Sequence, residues 1–356
     1  MAICAWRSTI FVPANMIEES HRSAMAREIG EIPAAATRFL AGRDAMDDAV
    51  SRIRAFAPRS VIFCGRGSSG HAGVYLRYLF EARLGMLASA AAPSVMTAYH
   101  ARVDMQGSLF VVISQSGRSP DLVATTERAR AAGALTVAIV NDSDGPVAKA
   151  AERVLPIEAG PERSVAATKT MALSMIAGAE LVAVLAQDTI LRSAIARLPE
   201  RFADALLCDW SPWRESLSGA PAAFVSARGY GFATAREIAL KITETLRLPA
   251  LAYSAAELRH GPRAAITALT PVLVLRQNDE TAGGVDELVH DLRRDGERLF
   301  VCGGPEATLP WIGDDHPVCD PIAMLLPAYR AVESAARQHG FDPDRPPYLA
   351  KVTETL

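Results

Sequence analysis

The chain has 356 residues, of which 50% are apolar and 22% are charged. This length fits two domains of ordinary size, and the composition excludes a disordered or collagen-like protein. The formal net charge of −3 at pH 7 provides no basic field for a phosphate backbone or anionic lipid. We therefore expect no nucleic acid and no membrane surface among the partners.

The N-terminal residues are apolar, but Arg7 lies inside the apolar run and no clear small-residue cleavage site follows it. We therefore do not predict a signal peptide. The longest weakly polar stretch, residues 174–187, contains Glu180 and is well short of the ~20 residues that span a bilayer. Five scattered cysteines, with no CxxC pair and no metal-ligand spacing, indicate reduced core residues in a cytoplasmic protein without a metal.

Helical periodicity opens the chain over residues 14–57, with Pro33 interrupting it. Short apolar runs then alternate with Ala-rich helical stretches, which predicts a doubly wound parallel sheet. The predicted strands are SVIFCG (60–65), SLFVVIS (108–114) and LTVAIVND (135–142), and the predicted helices cover 71–84 and 120–133.

The second half repeats this order, with predicted strands at 222–229, 271–277 and 298–304 and helices at 233–246 and 284–296. VIFCGRGSSGHAG and FVSARGYGFATA each run from an apolar strand through a Gly-rich turn into a helix, which indicates a duplicated α/β domain. We predict a helical lead-in, two α/β domains and a docking tail, with bounds 1–58, 59–207, 208–340 and 341–356.

The turn Gly65–Gly70 matches the dinucleotide pattern GxGxxG. That interpretation also needs a carboxylate at the end of the next strand, where it would hold the ribose. The next apolar run, PSVMTAYH (93–100), which we take as that strand, ends without one. We therefore predict no nucleotide cofactor.

Hydroxyl groups are concentrated in two loops that follow predicted strands and precede predicted helices. Ser68 and Ser69 lie in the first loop, and SQSGRS (114–119) forms the second. The free N–H groups of helix N-termini favour an anion, and open α/β sheets bind ligands at the carboxyl ends of their strands. Each serine alone would be explained by helix capping, but together they predict a cradle for a small phosphate.

Five motifs in order, SQSGRSPD, ERSVAATK, EIALKITETL, ELRHGP and the late LAK, resemble the sugar isomerase (SIS) domain family. The resemblance covers nearly the whole chain and is closest to the isomerase half of glucosamine-6-phosphate synthase and to the related deaminases. It implies two tandem doubly wound SIS domains, flavodoxin-like with three αβα layers, and an active site between the subunits of a homodimer.

By resemblance, the phosphate of a hexose or hexosamine 6-phosphate is bound by one group of residues and the sugar is lined by another. The phosphate group comprises Ser68, Ser69, Ser114, Gln115, Ser116 and Ser119, and the lining residues are Val165 and Ala167. This chain has Ala167 where the synthases have a serine in this motif, so one hydroxyl contact differs.

Glu237, Lys241 and Glu244 share one helix face by their spacing, which alone would fit a surface ion pair. The resemblance implies that Glu244 moves a proton between C1 and C2 of the open-chain sugar, with Glu237 and Lys241 in the same site. It implies that His260, lent by the neighbouring subunit, opens the sugar ring, and that Lys351 reaches C2.

The resemblance implies an aminosugar-phosphate deaminase that converts glucosamine 6-phosphate to fructose 6-phosphate and ammonia without a metal or redox cofactor. About 60 residues precede the first loop of this sequence, so we expect no glutaminase domain and no ammonia supply. A ketose/aldose isomerase, a galactosamine-6-phosphate deaminase and a fructosamine-phosphate deglycase are the alternatives within the family. A non-catalytic sugar-phosphate sensor is the alternative outside enzymes.

Overall fold

The structure, a computed structural model, describes residues 22–351. It begins with three helices, α1 (Ala24–Gly30), α2 (Ile32–Ala41) and α3 (Asp44–Phe56). Pro33 separates α1 from α2 as predicted and lies in the first turn of α2, where its missing N–H costs little. Residues 14–21 of the predicted lead-in, and Cys4, lie outside the described residues.

The first α/β unit follows these helices and contains five strands. Its elements in chain order are β1 (Ser60–Cys64), α4 (Gly67–Leu84), β2 (Leu87–Ala90), α5 (Pro93–Thr97), β3 (Ser108–Ser114), α6 (Pro120–Ala131), β4 (Leu135–Val140), α7 (Pro146–Ala150), β5 (Arg153–Pro156), α8 (Lys169–Leu185) and α9 (Thr189–Ala205). All the strands are parallel, in the order β2-β1-β3-β4-β5. This is the flavodoxin-like order, which reverses direction between β1 and β3.

The predicted strands at β1, β3 and β4 and the helices at α4 and α6 are confirmed. The prediction of a strand over 93–100 is wrong, because Pro93 begins the short helix α5 and the strand β2 lies earlier in the chain. An edge strand of four residues with three exposed side chains has little apolar pattern to reveal it. Strand β2, like the run 93–100, ends without a carboxylate.

The second α/β unit repeats the arrangement with four strands. Its elements are α10 (Ser211–Ser216), β6 (Ala223–Ala227), α11 (Gly231–Leu246), β7 (Ala250–Ser254), α12 (Ala255–Arg259), β8 (Val272–Leu275), α13 (Ala282–Arg294), β9 (Leu299–Cys302) and α14 (Asp320–Gln338). The strands are parallel in the order β7-β6-β8-β9. The chain therefore reverses direction between β6 and β8, as it does between β1 and β3 in the first unit.

A shared hydrophobic core joins the two sheets, and each sheet has a second core on its other face. Along β3, Leu109 and Val111 belong to the shared core, whereas Phe110 and Val112 belong to the separate one. Alternation with both faces buried is what a three-layer αβα unit requires. Helix α4 contacts α11, and α11 contacts α14, so the helices that follow the first strand of each unit pack against each other. In residues 22–351 no helix is long and apolar enough to cross a membrane.

Candidate active site

The two hydroxyl-bearing loops lie side by side where the strand order of the first sheet reverses. Ser68 and Ser69 lie in the first turn of α4, which follows β1, and the loop 114–119 leads from β3 into α6. Because β1 and β3 are paired in parallel, both loops leave the same edge of the sheet. This edge is where open α/β sheets bind ligands.

Two glycines make the close approach of these loops possible. A Cβ on Gly65 would lie 2.8 Å from the backbone carbon of Ser69, so only glycine permits the tight turn that presents the serines. Gly117 has φ of +65°, and a Cβ there would lie 3.3 Å from the backbone oxygen of Asp142. Glycine adopts this left-handed conformation without the steric cost that other residues incur.

A cavity of about 430 Å³ opens between these loops, α11 and the last described residues. Its polar side is lined by all the predicted phosphate-binding residues, namely Ser68, Ser69, Ser114, Gln115, Ser116 and Ser119. The cavity is also lined by Val165, Ala167, Lys241, Glu244 and Lys351. The fold therefore brings together every predicted site residue except Glu237 and His260.

Glu237 lies behind the cavity instead of lining it. Its side chain is fully buried and accepts hydrogen bonds from Ser68 Oγ at 3.0 Å and Tyr329 Oη at 3.3 Å. It also meets His71 Nδ1 at 3.0 Å and Lys241 Nζ at 3.4 Å. Glu237 therefore positions Ser68 and Lys241 from behind the cavity, and its assignment to the substrate-binding residues stays a prediction.

Lys241 connects this buried carboxylate to the cavity, because its ammonium group also pairs with Glu244. Burial alone would raise the pKa of Glu237, but the Lys241 charge and the hydrogen bonds from His71 and Ser68 more than offset this and lower it. Burial would likewise lower the pKa of Lys241, but Glu237 and Glu244 raise it. The side chain of Glu244 is 20% exposed, so a charged lysine holds a carboxylate that solvent and ligand can reach.

Lys351 reaches the cavity because the residues before it are bonded to the loop 161–168. Its Nζ donates to the backbone oxygen of Ser164 and lies 3.3 Å from Glu162 Oε2. Glu162 is in turn fixed by the backbone N–H of Thr168 at 3.1 Å and the hydroxyl of Thr170 at 2.7 Å. A buried carboxylate thus holds the amine beside Val165 and Ala167 on the cavity wall.

His260 ends helix α12 and is exposed, and it does not line the cavity formed by this chain. It lies between Arg259, which pairs with Glu287 and Asp291, and Pro262, which begins a short 3₁₀ helix. The assignment of His260 to the site of a neighbouring subunit stays a prediction.

Sequence reasoning missed four groups that hold the site together: Arg66, Asp121, Glu162 and Glu28. Arg66 and Asp121 line the cavity and form an ion pair with each other. Glu28 in α1 accepts hydrogen bonds from the backbone N–H groups of Arg163 and Ser164. Arg66 stands inside the Gly-rich turn and Asp121 follows the serine loop directly, so proximity to the motifs could have identified these two. The contacts of Glu28 and Glu162 depend on tertiary structure.

The described residues, 22–351, include no group of three His, Cys, Asp or Glu side chains placed to hold a metal ion. The polar side of the cavity instead offers hydroxyl groups, a glutamine amide and the N-terminal turns of α4 and α6. This donor set suits a phosphate or a polyhydroxylated ligand.

A family model described as the SIS domain matches residues 56–184 and 216–310. The glutamine–fructose-6-phosphate aminotransferase (isomerizing) of Symbiobacterium thermophilum is 31% identical over 358 residues, covering 92% of this chain and 58% of that protein. The chain thus spans less than three fifths of the length of this relative.

Solved structures of other proteins are also similar to this chain. A Silicibacter pomeroyi protein, provisionally named a phosphosugar isomerase, is 37% identical with a TM-score of 0.87, covering 91% of this chain and all of that one. The glucosamine-6-phosphate deaminase of Thermotoga maritima, at 20% identity, shares the fold with a TM-score of 0.77 over 94% of this chain and all of that one. Both family-model matches fall on the two parallel-sheet units, and the chain belongs to the SIS domain family.

Proposed function

We propose that this protein is a hexosamine-6-phosphate deaminase, which converts glucosamine 6-phosphate to fructose 6-phosphate and ammonia. The observation that carries the proposal is the pairing, in one cavity, of a reachable carboxylate, Glu244, with a primary amine, Lys351. Moving a proton between adjacent sugar carbons needs only the carboxylate. An amine beside it supports chemistry in which nitrogen is exchanged at C2.

In this proposal, the phosphate lies against the serine loops and the open-chain sugar extends toward α11. Glu244 removes the proton from C2 and returns it to C1, while a proton passes from the amino nitrogen to O1, which converts the 2-amino aldehyde into a 2-imine with a hydroxyl group on C1. Water then adds to C2, and the C2–N bond breaks to release ammonia and leave the ketone of fructose 6-phosphate. A carboxylate in hydrogen-bond reach of both carbons performs this proton transfer as a general base and then a general acid.

Lys351 can act in this chemistry in two ways, and both require its Nζ to lie near C2 of the sugar. As a charged group it would hydrogen-bond the C2 substituent. As a neutral amine it would displace ammonia and form an imine with C2, which water then hydrolyses. Glu162, 3.3 Å from Nζ, can accept the proton that the neutral form must lose.

His260 belongs to the proposal as a residue lent by a second copy of the chain in a homodimer. Ring opening needs a group that moves a proton from the O1 hydroxyl to the ring oxygen, and histidine does this near neutral pH. The exposed position of His260 outside the cavity of its own chain is compatible with this arrangement.

The test is to incubate the purified protein with glucosamine 6-phosphate, without glutamine, and to measure ammonia and fructose 6-phosphate together. We expect equal amounts of both, and we expect Glu244→Gln to lower kcat by about 10²- to 10⁴-fold while binding of fructose 6-phosphate persists. Borohydride added during turnover would trap an imine in the wild type but not in Lys351→Arg, since a guanidinium stays protonated.

Each alternative has its own result in this assay. Release of ammonia from galactosamine 6-phosphate but not from glucosamine 6-phosphate would indicate a galactosamine-6-phosphate deaminase. Release of an amine from a fructosamine phosphate would indicate a deglycase. Interconversion of ketose and aldose phosphates without ammonia would contradict the deaminase and leave an isomerase. Tight binding of hexose phosphates with no turnover of any would indicate a sensor.

A further inference from the structure

The phosphate cradle contains a carboxylate, Asp121, that would repel a phosphate if it stood alone. Asp121 lies in the first turn of α6, its side chain is 3% exposed, and it lines the cavity. Its Oδ1 accepts the backbone N–H of Leu122 at 2.9 Å. The carboxylate therefore competes with any bound anion for the N-terminus of the same helix.

Arg66 neutralises this carboxylate from the neighbouring loop. Its Nε and Nη2 both lie 2.8 Å from Oδ2 of Asp121. A guanidinium has five N–H donors, and among residues 22–351 the hydrogen bonds of this one go to Asp121 alone. The side chain is 53% exposed and lines the cavity beside Ser68 and Ser69. Three N–H donors are thus left for a ligand.

We propose that Arg66, held in place by Asp121, contacts the phosphate of the substrate and makes the site select phosphorylated sugars. The ion pair fixes the guanidinium between the β1–α4 loop and the β3–α6 loop, where the serine hydroxyls and helix N-termini converge. A phosphate dianion there receives charge-assisted hydrogen bonds from Arg66 in addition to neutral ones from the serines. This proposal deepens the proposed function, on which it rests for the identity of the ligand as a sugar phosphate.

The chain provides a matched control in Arg118. This arginine also forms an ion pair with an aspartate, Asp142, at 2.9 Å, and its side chain is 61% exposed. It belongs to the serine loop but does not line the cavity. Replacing Arg118 removes a similar charge and a similar ion pair from the same region without removing a donor from the proposed phosphate site.

The experiment is calorimetric titration of inorganic phosphate and of fructose 6-phosphate into the wild type, Arg66→Gln, Arg66→Lys and Arg118→Gln. We expect Arg66→Gln to weaken the binding of both by at least about tenfold. Arg66→Lys should recover part of this loss, and Arg118→Gln should stay within about twofold of the wild type. Fructose 6-phosphate should bind the wild type more tightly as pH rises past about 6, where a phosphate monoester loses its second proton.

Equal binding by Arg66→Gln and the wild type would overturn the proposal, as would a wild type that binds neither ligand. Equal loss of affinity in Arg66→Gln and Arg118→Gln would show a general charge effect and would also overturn it. If Arg66→Gln does not fold, comparison of Arg66→Lys with Arg118→Gln still decides the outcome, because lysine lacks the forked donors of arginine and should bind both ligands more weakly than Arg118→Gln does. Failure of the deaminase assay leaves these binding results unchanged, so the two proposals fail separately.

Discussion

Glu237 is the buried residue on which most of the polar contacts behind the site converge. Four groups from three helices reach its carboxylate: Ser68 Oγ and His71 Nδ1 in α4, Lys241 Nζ in α11 and Tyr329 Oη in α14. Burial and the nearby Glu237 charge raise the pKa of Tyr329. Its phenol therefore stays protonated and donates a hydrogen bond to Glu237. Glu237 is thus a positioning residue that acts on the cavity through Ser68 and Lys241.

We expect Glu237→Gln to lower the free energy of unfolding by about 3 kcal/mol, because it leaves the buried Lys241 ammonium with Glu244 as its remaining carboxylate partner. Urea denaturation measures this loss. The control is Glu215→Gln, which breaks the surface pair with Arg214 at a side chain that is 68% exposed and should cost less than about 1 kcal/mol. Equal effects of the two substitutions would contradict this account of Glu237.

The contacts of Glu237 and Lys241 also make the stability of the fold depend on pH. The pKa of Glu237 is lower in the folded protein than its ordinary value of 4.5, so its ionised form stabilises the fold above that pH, and this contribution is lost as the pH falls through the lowered value. The raised pKa of Lys241 means that its contribution is full below 10.5 and is lost only at higher pH. We expect stability to fall less steeply below pH 4.5 in Glu237→Gln than in the wild type, as measured by urea denaturation across pH.

The sequence predicted these three residues on one helix face but not which of them is buried. The spacing of Glu237, Lys241 and Glu244 places them together on any helix, and a surface helix would expose all of them. The burial of the first two arises because both α4 and α14 pack against α11. A local pattern does not contain that information. By contrast, the serine loops were predictable because each follows an apolar strand and precedes a helix.

At the scale of elements, α8 packs closely against α4. Gly178 in α8 faces Leu76 in α4, and a Cβ on Gly178 would lie 2.6 Å from Leu76 Cγ. Leu76 is fully buried and cannot move aside. Small residues at such a crossing let two helix backbones approach, and adding atoms to a packed core is destabilising.

We therefore expect Gly178→Ala to lower the free energy of unfolding by about 1–3 kcal/mol. The control is Gly30→Ala at the end of α1, where an added Cβ meets no atom within 4 Å. That change should be neutral or stabilising by up to about 1 kcal/mol, since alanine restricts the unfolded chain. Thermal or urea denaturation compares the two, and a Gly178→Ala protein as stable as Gly30→Ala would show that the crossing can relax.

Elements differed in how well the sequence revealed them. The central strands β1, β3, β4, β6 and β8 are continuous apolar runs because both of their faces are covered. The edge strand β2 escaped prediction because its side chains are mostly exposed. The long helix α8 is buried nearly all round, so it shows no polar stripe by which periodicity could identify it.

At the scale of the whole molecule, Asp344 joins three separate parts of the chain. Its carboxylate accepts the backbone N–H groups of Ala24 at 2.6 Å and Met25 at 2.8 Å, at the start of α1. Its backbone oxygen accepts the N–H of Val165 at 3.1 Å, on the cavity wall. Lys351 follows seven residues later and bonds back to Ser164. Helix α1, the loop 161–168 and the final described segment therefore depend on one another.

We expect Asp344→Ala to cost about 1–2 kcal/mol of stability, as loss of a helix cap does, and to increase proteolysis of residues 341–351. Activity should fall further than stability alone explains, because Lys351 is no longer held at the cavity. Asp344→Asn keeps one acceptor oxygen and should lie between the wild type and Asp344→Ala in both measurements. Limited proteolysis and kcat measured on the same samples check this, and full activity in Asp344→Ala would contradict it.

The link between Ala24 and Asp344 joins residues 320 positions apart, and this separation matters while the chain is being made. At 5–20 residues per second, α1 leaves the ribosome roughly 15–60 s before Asp344 is added. During that interval the first N–H groups of α1 can bond only to water instead of the Asp344 carboxylate. The N–H of Val165, on the cavity wall, likewise lacks its hydrogen bond to the backbone oxygen of Asp344. The first sheet can form early from its own strands, but the cavity is completed last. A chain whose translation stops before residue 344 would carry the sheet and its serine loops without a finished site.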